Sequence, residues 1–255
     1  MPLPEEIIEF ISNKVAEVDE PGFYRRPLVG FSSAADPLYS RLKEIVGPHH
    51  LQPEAVLPEV KTLVSFFLPF SRLVVEANRL EPEFPAPEWV DSYAHANRLI
   101  NEISQGLADW RTKAGRPAGM VGATHNYDEV LLKAPWSHRS AAFVAGLGRF
   151  GLNRMLITPV GAAGRYGTVF LSEELPPSAR PEEELCLFFK NGSCRYCLDH
   201  CPPQALGRGP DEFDRQACNR KLLIKSPYTR DLDWDKTDVC GKCCVGPCAI
   251  LGQEA

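Results

Sequence analysis

The nine cysteines of this chain all lie after position 185. They form two runs with one isolated cysteine, Cys218, between them. The first run reads C-x7-C-x2-C-x3-C-P and the second reads C-x2-C-C-x3-C. Thiolates at such short spacings hold 4Fe–4S clusters, and a C-x3-C-P ending is typical of proteins that hold two of them. The pattern therefore predicts electron-transfer chemistry.

A disulfide scaffold and a zinc site are the main alternatives for so many cysteines. Disulfides require an exported chain, but the N-terminus has no basic segment followed by an apolar one, and nine is an odd number. Structural zinc takes four ligands, usually from two C-x2-C pairs, and a C-x3-C-P ending has no role in such a site. Single buried cysteines can be inert, but that does not explain nine so close together. Iron–sulfur clusters explain the pattern best.

Ferredoxin spacing leads to one assignment of the thiols to two clusters. A regular first run would begin at position 191, which is Asn191, so Cys186 must reach in across the turn signal Asn191-Gly192. Cluster one is then expected to take a cysteine near the C-terminus together with Cys186, Cys194 and Cys197. Cluster two is expected to take Cys201, Cys218, Cys240 and Cys243. Cys244 and Cys248 compete for the last place, and we favour Cys248 because adjacent cysteines rarely serve two clusters.

Length, charge and hydropathy limit the class of protein. A chain of 255 residues with 44% hydrophobic residues is long enough for a full core and a small second domain. Its net charge of -5 argues against strong, sequence-independent binding to nucleic acid. The longest apolar runs, such as residues 63–70, are far too short to span a bilayer. We therefore predict a cytoplasmic protein without a membrane segment.

Apolar periodicity predicts several elements before the cysteines. Amphipathic helices are expected over residues 5–18, over residues 87–111 and after the candidate N-cap Ser137. Buried strands are expected over residues 63–68, 155–158 and 166–171. Because helices and strands do not alternate strictly, the fold class is α+β or an open α/β layer structure.

A proline-rich stretch at residues 176–181 separates this region from the cysteines. Its composition is typical of a linker between domains. We therefore predict a core of residues 1–178 and a cluster domain of residues 179–255.

One glycine pattern, Gly146-Leu-Gly148-Arg-Phe-Gly151, matches the dinucleotide-binding fingerprint G-x-G-x-x-G. That fingerprint must follow a strand and open a helix, so that the pyrophosphate meets the helix N-terminus. Here the glycines follow a predicted helix and precede a predicted strand. They are therefore expected to end the helix in left-handed backbone conformations, and no nicotinamide site is predicted.

The same segment carries a family resemblance. Pro135-Trp-Ser-His-Arg139, then Ala145-Gly-Leu-Gly148, Gly151 and Asn153, resembles the P-x-x-E-R and A-G-L-G-x-x-G-K-N stretch of epoxyqueuosine reductases and reductive dehalogenases. The likeness covers roughly residues 60–250. It implies a nitroreductase-like α/β core followed by a two-cluster ferredoxin-like domain, with a corrinoid (cobalamin) held between them. An electron donor such as ferredoxin or flavodoxin would then be a partner.

Several positions depart from the family pattern. The acid that donates a proton in epoxyqueuosine reductases is Leu132 here, their P-x-x-E-R glutamate is His138, and their D-Y-H corresponds to residues 98–100. The chain therefore looks like a shortened relative with different chemistry. Together with the acidic net charge, these departures argue against tRNA as the substrate and favour a small molecule.

The segment between positions 125 and 139 supplies candidates for the remaining chemistry. A proton donor should have a pKa near the working pH, which favours histidine, and the candidates are His125, Tyr127, Asp128 and His138. By the resemblance, residues expected near the cofactor are Ser137, Arg139, Gly146, Gly148, Gly151, Asn153, Gly161 and Arg165. Two functions remain open: a corrinoid-dependent reductase of a small substrate, or an electron-transfer or corrinoid-handling protein that has no substrate of its own.

Overall fold

The structure is a computed structural model that describes residues 1–18, 22–123, 127–209, 212–224 and 239–252. Its centre is a four-stranded sheet in the order β1-β2-β6-β3, in which all neighbours are antiparallel. The strands of this sheet are β1 Leu28–Ser33, β2 Thr62–Pro69, β3 Ala118–Met120 and β6 Gly164–Leu171. A separate two-stranded sheet pairs β4 Arg149–Phe150 with β5 Leu156–Ile157.

Helices lie before, between and after the strands. They are α1 Leu3–Val18, α2 Pro37–Ile45, α3 Arg72–Leu80, α4 Pro87–Lys113, α5 His138–Val144, α6 Leu187–Asn191, α7 Tyr196–Asp199 and α8 Arg215–Leu222. Short 3₁₀ turns occur at Pro53–Ala55 and Lys242–Cys244. Within the described ranges, no helix combines the length and the apolar character needed to cross a membrane.

Strand β2 is buried along its whole length because helices cover both faces of the sheet. Val64, Phe66 and Leu68 belong to the hydrophobic core that α1, α3 and α4 share, whereas Leu63 packs on the α2 and α5 side. Side chains of a strand alternate between faces, so a strand covered on both sides must be apolar at nearly every position. This explains the continuous apolar run in the sequence.

Most of the predicted elements are confirmed. The helices over residues 5–18 and 87–111 form as α1 and α4, and Ser137 caps α5 by accepting a hydrogen bond from the Ser140 N–H. The strand predicted at residues 155–158 is shorter, since only Leu156–Ile157 pairs. Helices packed on an antiparallel sheet confirm the mixed α/β class.

The glycine pattern ends a helix, as predicted. Gly146 follows α5 with a φ of 78°, in the left-handed region. A Cβ at Gly148 would lie 2.1 Å from the carbonyl oxygen of Ile157, so β5 can approach only a glycine there. These residues therefore shape the turn between α5 and the β4–β5 pair.

The chain returns to the core at residues 239–252. Val245 and Ala249 are fully buried among the side chains of α1, α3 and α4. The N–H of Ala162 donates to the carbonyl oxygen of Cys248 at 2.9 Å, and the N–H of Leu251 donates to that of Val160 at 3.1 Å. The second cysteine run therefore packs directly on the core, while the division into residues 1–178 and 179–255 stays a prediction.

Candidate iron–sulfur and cofactor site

Four cysteines, called here the first thiol group, lie together in the structure: Cys186, Cys194, Cys197 and Cys248. The pKa of the Cys248 thiol is raised to about 12, mainly by burial and also by the nearby thiols of the other three. All four line one cavity that is partly open to solvent and that Leu152 and Ile157 of the core also border. These are the cysteines that spacing assigned to cluster one.

A turn brings Cys186 to this group. Cys186 precedes α6, and its carbonyl oxygen accepts a hydrogen bond from the N–H of Lys190. Gly192 then ends the helix with a φ of 74°, and the Asn191 side chain accepts a bond from the Ser193 N–H at 3.1 Å. The predicted Asn191-Gly192 turn is thus confirmed, and it directs the chain back towards Cys194.

Four other cysteines, the second thiol group, also lie near one another: Cys201, Cys218, Cys240 and Cys243. The pKa of Cys218 is raised to about 11, mainly by burial and also by the thiols of the other three. Cys218 lies on α8, whose N-terminus is capped by Asp214 accepting from the Ala217 N–H at 2.8 Å. The Ala205 N–H donates to the Cys201 sulfur at 3.3 Å.

Cys243 lies between the two groups. It lines the cavity of the first thiol group. The pKa of Cys197 is raised to about 12, mainly by burial, and among the neighbouring thiols Cys243 raises it most. Its own pKa is raised well above the ordinary value, first by a hydrogen bond with Cys244 and then by burial. The two sulfurs are 3.7 Å apart. The two thiol groups are therefore neighbours in space.

Cys244, the cysteine expected to be spare, is buried in the core. Its thiol is close enough to Arg139 and Tyr166 to affect the pKa of both. This places Cys244 on the side of Cys243 that faces the core. The assignment of individual cysteines to clusters stays a prediction.

No three His, Cys, Asp or Glu side chains among the described residues are placed to hold a single metal ion. Four thiolates around a 4Fe–4S cluster lie further apart than four ligands around one ion, because each binds a different iron atom. The donor set of each thiol group, four cysteines, suits such a cluster.

His138, a candidate proton donor, is held by two partners inside the protein. Its Nδ1 lies 3.0 Å from the Thr168 hydroxyl and its Nε2 lies 3.2 Å from the Gly122 carbonyl oxygen. A carbonyl oxygen only accepts, so Nε2 carries the proton and Nδ1 accepts from Thr168. Burial lowers the pKa of His138 from 6.5 to about 4. The ring is therefore neutral at pH 7, and its catalytic role stays a prediction.

The shifted pKa of His138 predicts a specific pH dependence of stability. Below pH 6.5 the unfolded chain takes up the proton before the folded chain does, so stability is full above that pH and falls towards pH 4. His138→Gln cannot titrate there. Between pH 7.5 and 5.5, we expect wild type to lose about 1 kcal/mol more than the variant. Urea unfolding of anaerobic protein at both pH values measures this, and equal losses would contradict it.

The other donor candidates lie in the loop before α5. Asp128 holds a turn, because its carboxylate accepts from the N–H groups of Val130 and Leu131 at 2.8 and 2.7 Å. Leu132, at the position of the family's acid, has a φ of 52° in that turn. Tyr127 is partly buried at its start. His125 lies outside the described residues.

Three arginines lie near one another beside this loop: Arg139, Arg165 and Arg215. The pKa of Arg139 is lowered, mainly by burial and also by the other two guanidinium groups. Arg165 donates to the Asn97 side chain at 2.7 Å and stacks 4.2 Å above the Tyr93 ring. Among the described residues, none of the three forms an ion pair with a carboxylate. The region is therefore electropositive.

The remaining candidates for cofactor binding contact the chain itself. Ser137 caps α5, and Asn153 donates to the carbonyl oxygen of Cys243 at 3.0 Å. A Cβ at Gly161 would lie 2.2 Å from the carbonyl oxygen of Ala249, and one at Gly151 would lie 2.6 Å from the Ile157 side chain. The contacts of Asn153 and Gly161 join the core to the second cysteine run, whereas those of Ser137 and Gly151 lie within the core. A role in cofactor binding stays a prediction.

Two residues beside the second thiol group, Lys242 and Asn78, were not predicted from the sequence. Lys242 is 4% exposed and donates to Asn78, which is fully buried in α3 and in turn donates to the carbonyl oxygen of Cys240. The position of Lys242 between two predicted ligands could have indicated its place beside a cluster. Asn78 lies 164 positions before Lys242, and nothing in the sequence links the two residues.

Comparison with curated proteins identifies similar reductases. The chain is 27% identical over 237 residues to the epoxyqueuosine reductase of Bacillus subtilis, covering 85% of this chain and 54% of that protein. It is 25% identical over 177 residues to the epoxyqueuosine reductase of Lactococcus garvieae, covering 66% and 44%. The chain thus spans about half the length of these relatives. No family profile matches it.

Solved structures show the same relationship at the level of the fold. A Bacillus subtilis epoxyqueuosine reductase has a TM-score of 0.55 at 23% identity, covering 86% of this chain and 56% of that one. An epoxyqueuosine reductase bound to an epoxyqueuosine-modified tRNA stem loop has a TM-score of 0.53 at 21% identity, covering 86% and 56%. A reductive dehalogenase, described as B12-dependent, has a TM-score of 0.50 at 16% identity, covering 72% and 24%. The resemblance seen around residues 135–153 is confirmed: the chain is similar in sequence and fold to epoxyqueuosine reductases and in fold to reductive dehalogenases.

Proposed function

We propose that this chain is an iron–sulfur reductase that holds two 4Fe–4S clusters and a corrinoid and reduces a small substrate. The observation that carries the proposal is the grouping of eight cysteines into the first and second thiol groups, with Cys243 between them. Adjacent clusters suit single-electron transfer along the chain. An outside donor such as ferredoxin or flavodoxin would supply the electrons.

The donor chemistry near α5 supports a corrinoid site. Corrinoids carry amide side chains, and many carry a phosphate, for which guanidinium N–H groups are suitable donors. Arg139 provides such a group close to Cys244 and hence to the second thiol group, and Arg165 provides a second one near Arg139. A bound corrinoid would supply the cobalt chemistry of the reduction. The domain layout that goes with this proposal is a nitroreductase-like core over residues 1–178 and a ferredoxin-like domain over residues 179–255.

Within this proposal, residues of the chain itself shield a bound cluster from water and stabilise its thiolate ligands. Leu152 and Ile157 form the apolar side of the cavity of the first thiol group, which limits the access of water to a cluster there. The Ala205 N–H bond to the Cys201 sulfur stabilises a thiolate, because it places a donor on the negative atom. Both features influence the reduction potential of a bound cluster.

Corrinoid binding is the experiment that tests the proposal. Anaerobic protein reconstituted with iron and sulfide is titrated with cob(II)alamin, and we expect a base-off spectrum with a Kd in the micromolar range or tighter, roughly -8 kcal/mol. Arg139→Met should weaken binding about tenfold, because it removes a charged donor. Arg116→Met, a change at a side chain that is 63% exposed, is the control. No spectral change at tens of micromolar would refute the corrinoid site.

The substrate is tested on the same preparation. Reduced, corrinoid-loaded protein is offered small halogenated or epoxide compounds, and separately an epoxyqueuosine-containing tRNA stem loop. We expect turnover only of a small compound, because Leu132 replaces the acid of the tRNA-modifying relatives. Turnover of the stem loop would overturn that expectation while leaving the reductase proposal intact.

One observation favours a second function, that of an electron-transfer or corrinoid-reducing protein without its own substrate. Both ring nitrogens of His138 form hydrogen bonds inside the protein, and Leu132 has no acidic group that could donate a proton. A reductase needs a proton donor, whereas a carrier does not. Replacing Tyr127 by Phe separates the two: a reductase that uses this hydroxyl loses turnover and keeps corrinoid reduction, while a carrier shows no turnover even in wild type.

A further inference from the structure

Lys242 is a buried lysine between two cysteines of the second thiol group. It is 4% exposed and lies in the 3₁₀ turn Lys242–Cys244. Its Nζ donates to the backbone oxygen of Asn78 at 2.7 Å, to the Asn78 side-chain oxygen at 3.0 Å and to the backbone oxygen of Glu81 at 2.5 Å. An ammonium group has three N–H donors, so all three are used.

The acceptors of this ammonium are neutral oxygens. In the described part of the chain, Lys242 forms no ion pair with a carboxylate. A buried charge that lacks a direct ion pair is costly, so a nearby anion would stabilise it strongly. Burial lowers the pKa of the Lys242 ammonium to about 8, whereas the Cys240 thiol and the Glu81 carboxylate favour its charged form. The Cys240 sulfur also accepts a hydrogen bond from the Lys242 backbone N–H.

Rigid contacts keep the ammonium in this position. Asn78 is fully buried, donates to the Cys240 carbonyl oxygen at 3.1 Å and accepts from the Ala86 N–H at 3.1 Å. On the other side, Gly241 lies so close to the Trp89 ring that a Cβ would be 2.2 Å from it. The second cysteine run is therefore fixed to α3 at Cys240 and to α4 at Gly241.

We propose that Lys242 is a fixed positive charge that raises the reduction potential of the cluster held by the second thiol group. The inference rests on the proposed function, which supplies that cluster. A 4Fe–4S cluster with four thiolates carries a charge of about -2, and one electron from the donor makes it about -3. A buried cation stabilises the more negative state more, so it favours reduction. Glutamine at position 242 keeps two N–H donors for the carbonyl oxygens but loses the charge.

Redox titration of the anaerobic two-cluster protein, followed by electron paramagnetic resonance, tests this role. In Lys242→Gln and Lys242→Met, we expect the reduction equilibrium of one cluster to shift at least about tenfold towards the oxidised form, or about 59 mV for one electron. The other cluster should shift much less. The change should persist at about 0.5 M salt, because a buried charge is poorly screened.

Lys221→Met is the matched control. Lys221 also lies near Cys240 but is only partly buried, 4.9 Å from the centre of the Phe84 ring. Its effect should be smaller and should disappear at high salt. Wild-type potentials in both Lys242 variants would overturn the inference, and so would loss of a cluster in both, which would make Lys242 a structural residue. Wild type without two clusters would instead refute the proposed function.

Discussion

Replacing Cys218 by serine is expected to halve the iron content, from about eight atoms per chain to about four. Cys218 reaches the second thiol group from α8, and the thiols of Cys201, Cys240 and Cys243 surround it. A serine hydroxyl is a poor ligand for iron–sulfur clusters, which prefer thiolate. Since electrons would have to pass through both clusters, turnover or corrinoid reduction should fall at least about a hundredfold.

Cys244→Ser is the matched control for this experiment. Cys244 is also a cysteine of the second run, but it is buried against the core and lies outside both thiol groups. We expect this variant to keep about eight iron atoms and eight sulfides. Iron and acid-labile sulfide analysis of anaerobic protein decides the matter. Full iron in Cys218→Ser, or a lost cluster in Cys244→Ser, would show that the ligand assignment is wrong.

Replacing Gly161 by alanine is expected to destabilise the protein by about 3 kcal/mol. Gly161 has a φ of 114°, which alanine rarely adopts, and a Cβ there would lie 2.2 Å from the Ala249 carbonyl oxygen. Relief requires the segment of residues 239–252 to move away from the core. The N–H bonds that Ala162 donates to this segment would then be lost as well.

Gly192→Ala is the matched control for Gly161→Ala. Gly192 also has a positive φ, 74°, but no atom lies within 4 Å of its hypothetical Cβ. Only the backbone strain of about 1 kcal/mol is expected there. Denaturant unfolding of the anaerobic proteins, followed by tryptophan fluorescence, compares the two variants. Equal stability would show that residues 239–252 do not pack on Gly161.

The sequence predicted the central elements of the fold well because their burial is visible in the residue pattern. β2 is apolar at nearly every position since both faces are covered, and α4 shows one apolar stripe over its length. β3 could not be predicted in this way. It is three residues long, Ala118–Met120, and it forms only because the edge of β6 offers it a partner. Such a pairing depends on tertiary contacts rather than on local preference.

Which cysteines lie near one another could also be predicted from the sequence, because cluster ligands follow fixed spacings. Cys186 was assigned through the Asn191-Gly192 turn, and the structure contains that turn. The position of Cys243 between the two groups could not be predicted from the sequence, since it depends on how the second run packs on the core. The surroundings of His138 were hidden for the same reason: Thr168 and Gly122 come from other parts of the chain.

Each thiol group combines cysteines from both ends of the C-terminal region. Cys248 joins residues that precede it by more than fifty positions, and Cys201 joins Cys240 and Cys243. During synthesis on the ribosome, both sets of ligands are therefore completed only after residues 240–248 emerge. Val245 and Ala249 of the same segment are buried in the core, so the core and the thiol groups are completed together. Binding of iron and sulfide by a nascent chain would accordingly come late, with the last steps of core folding.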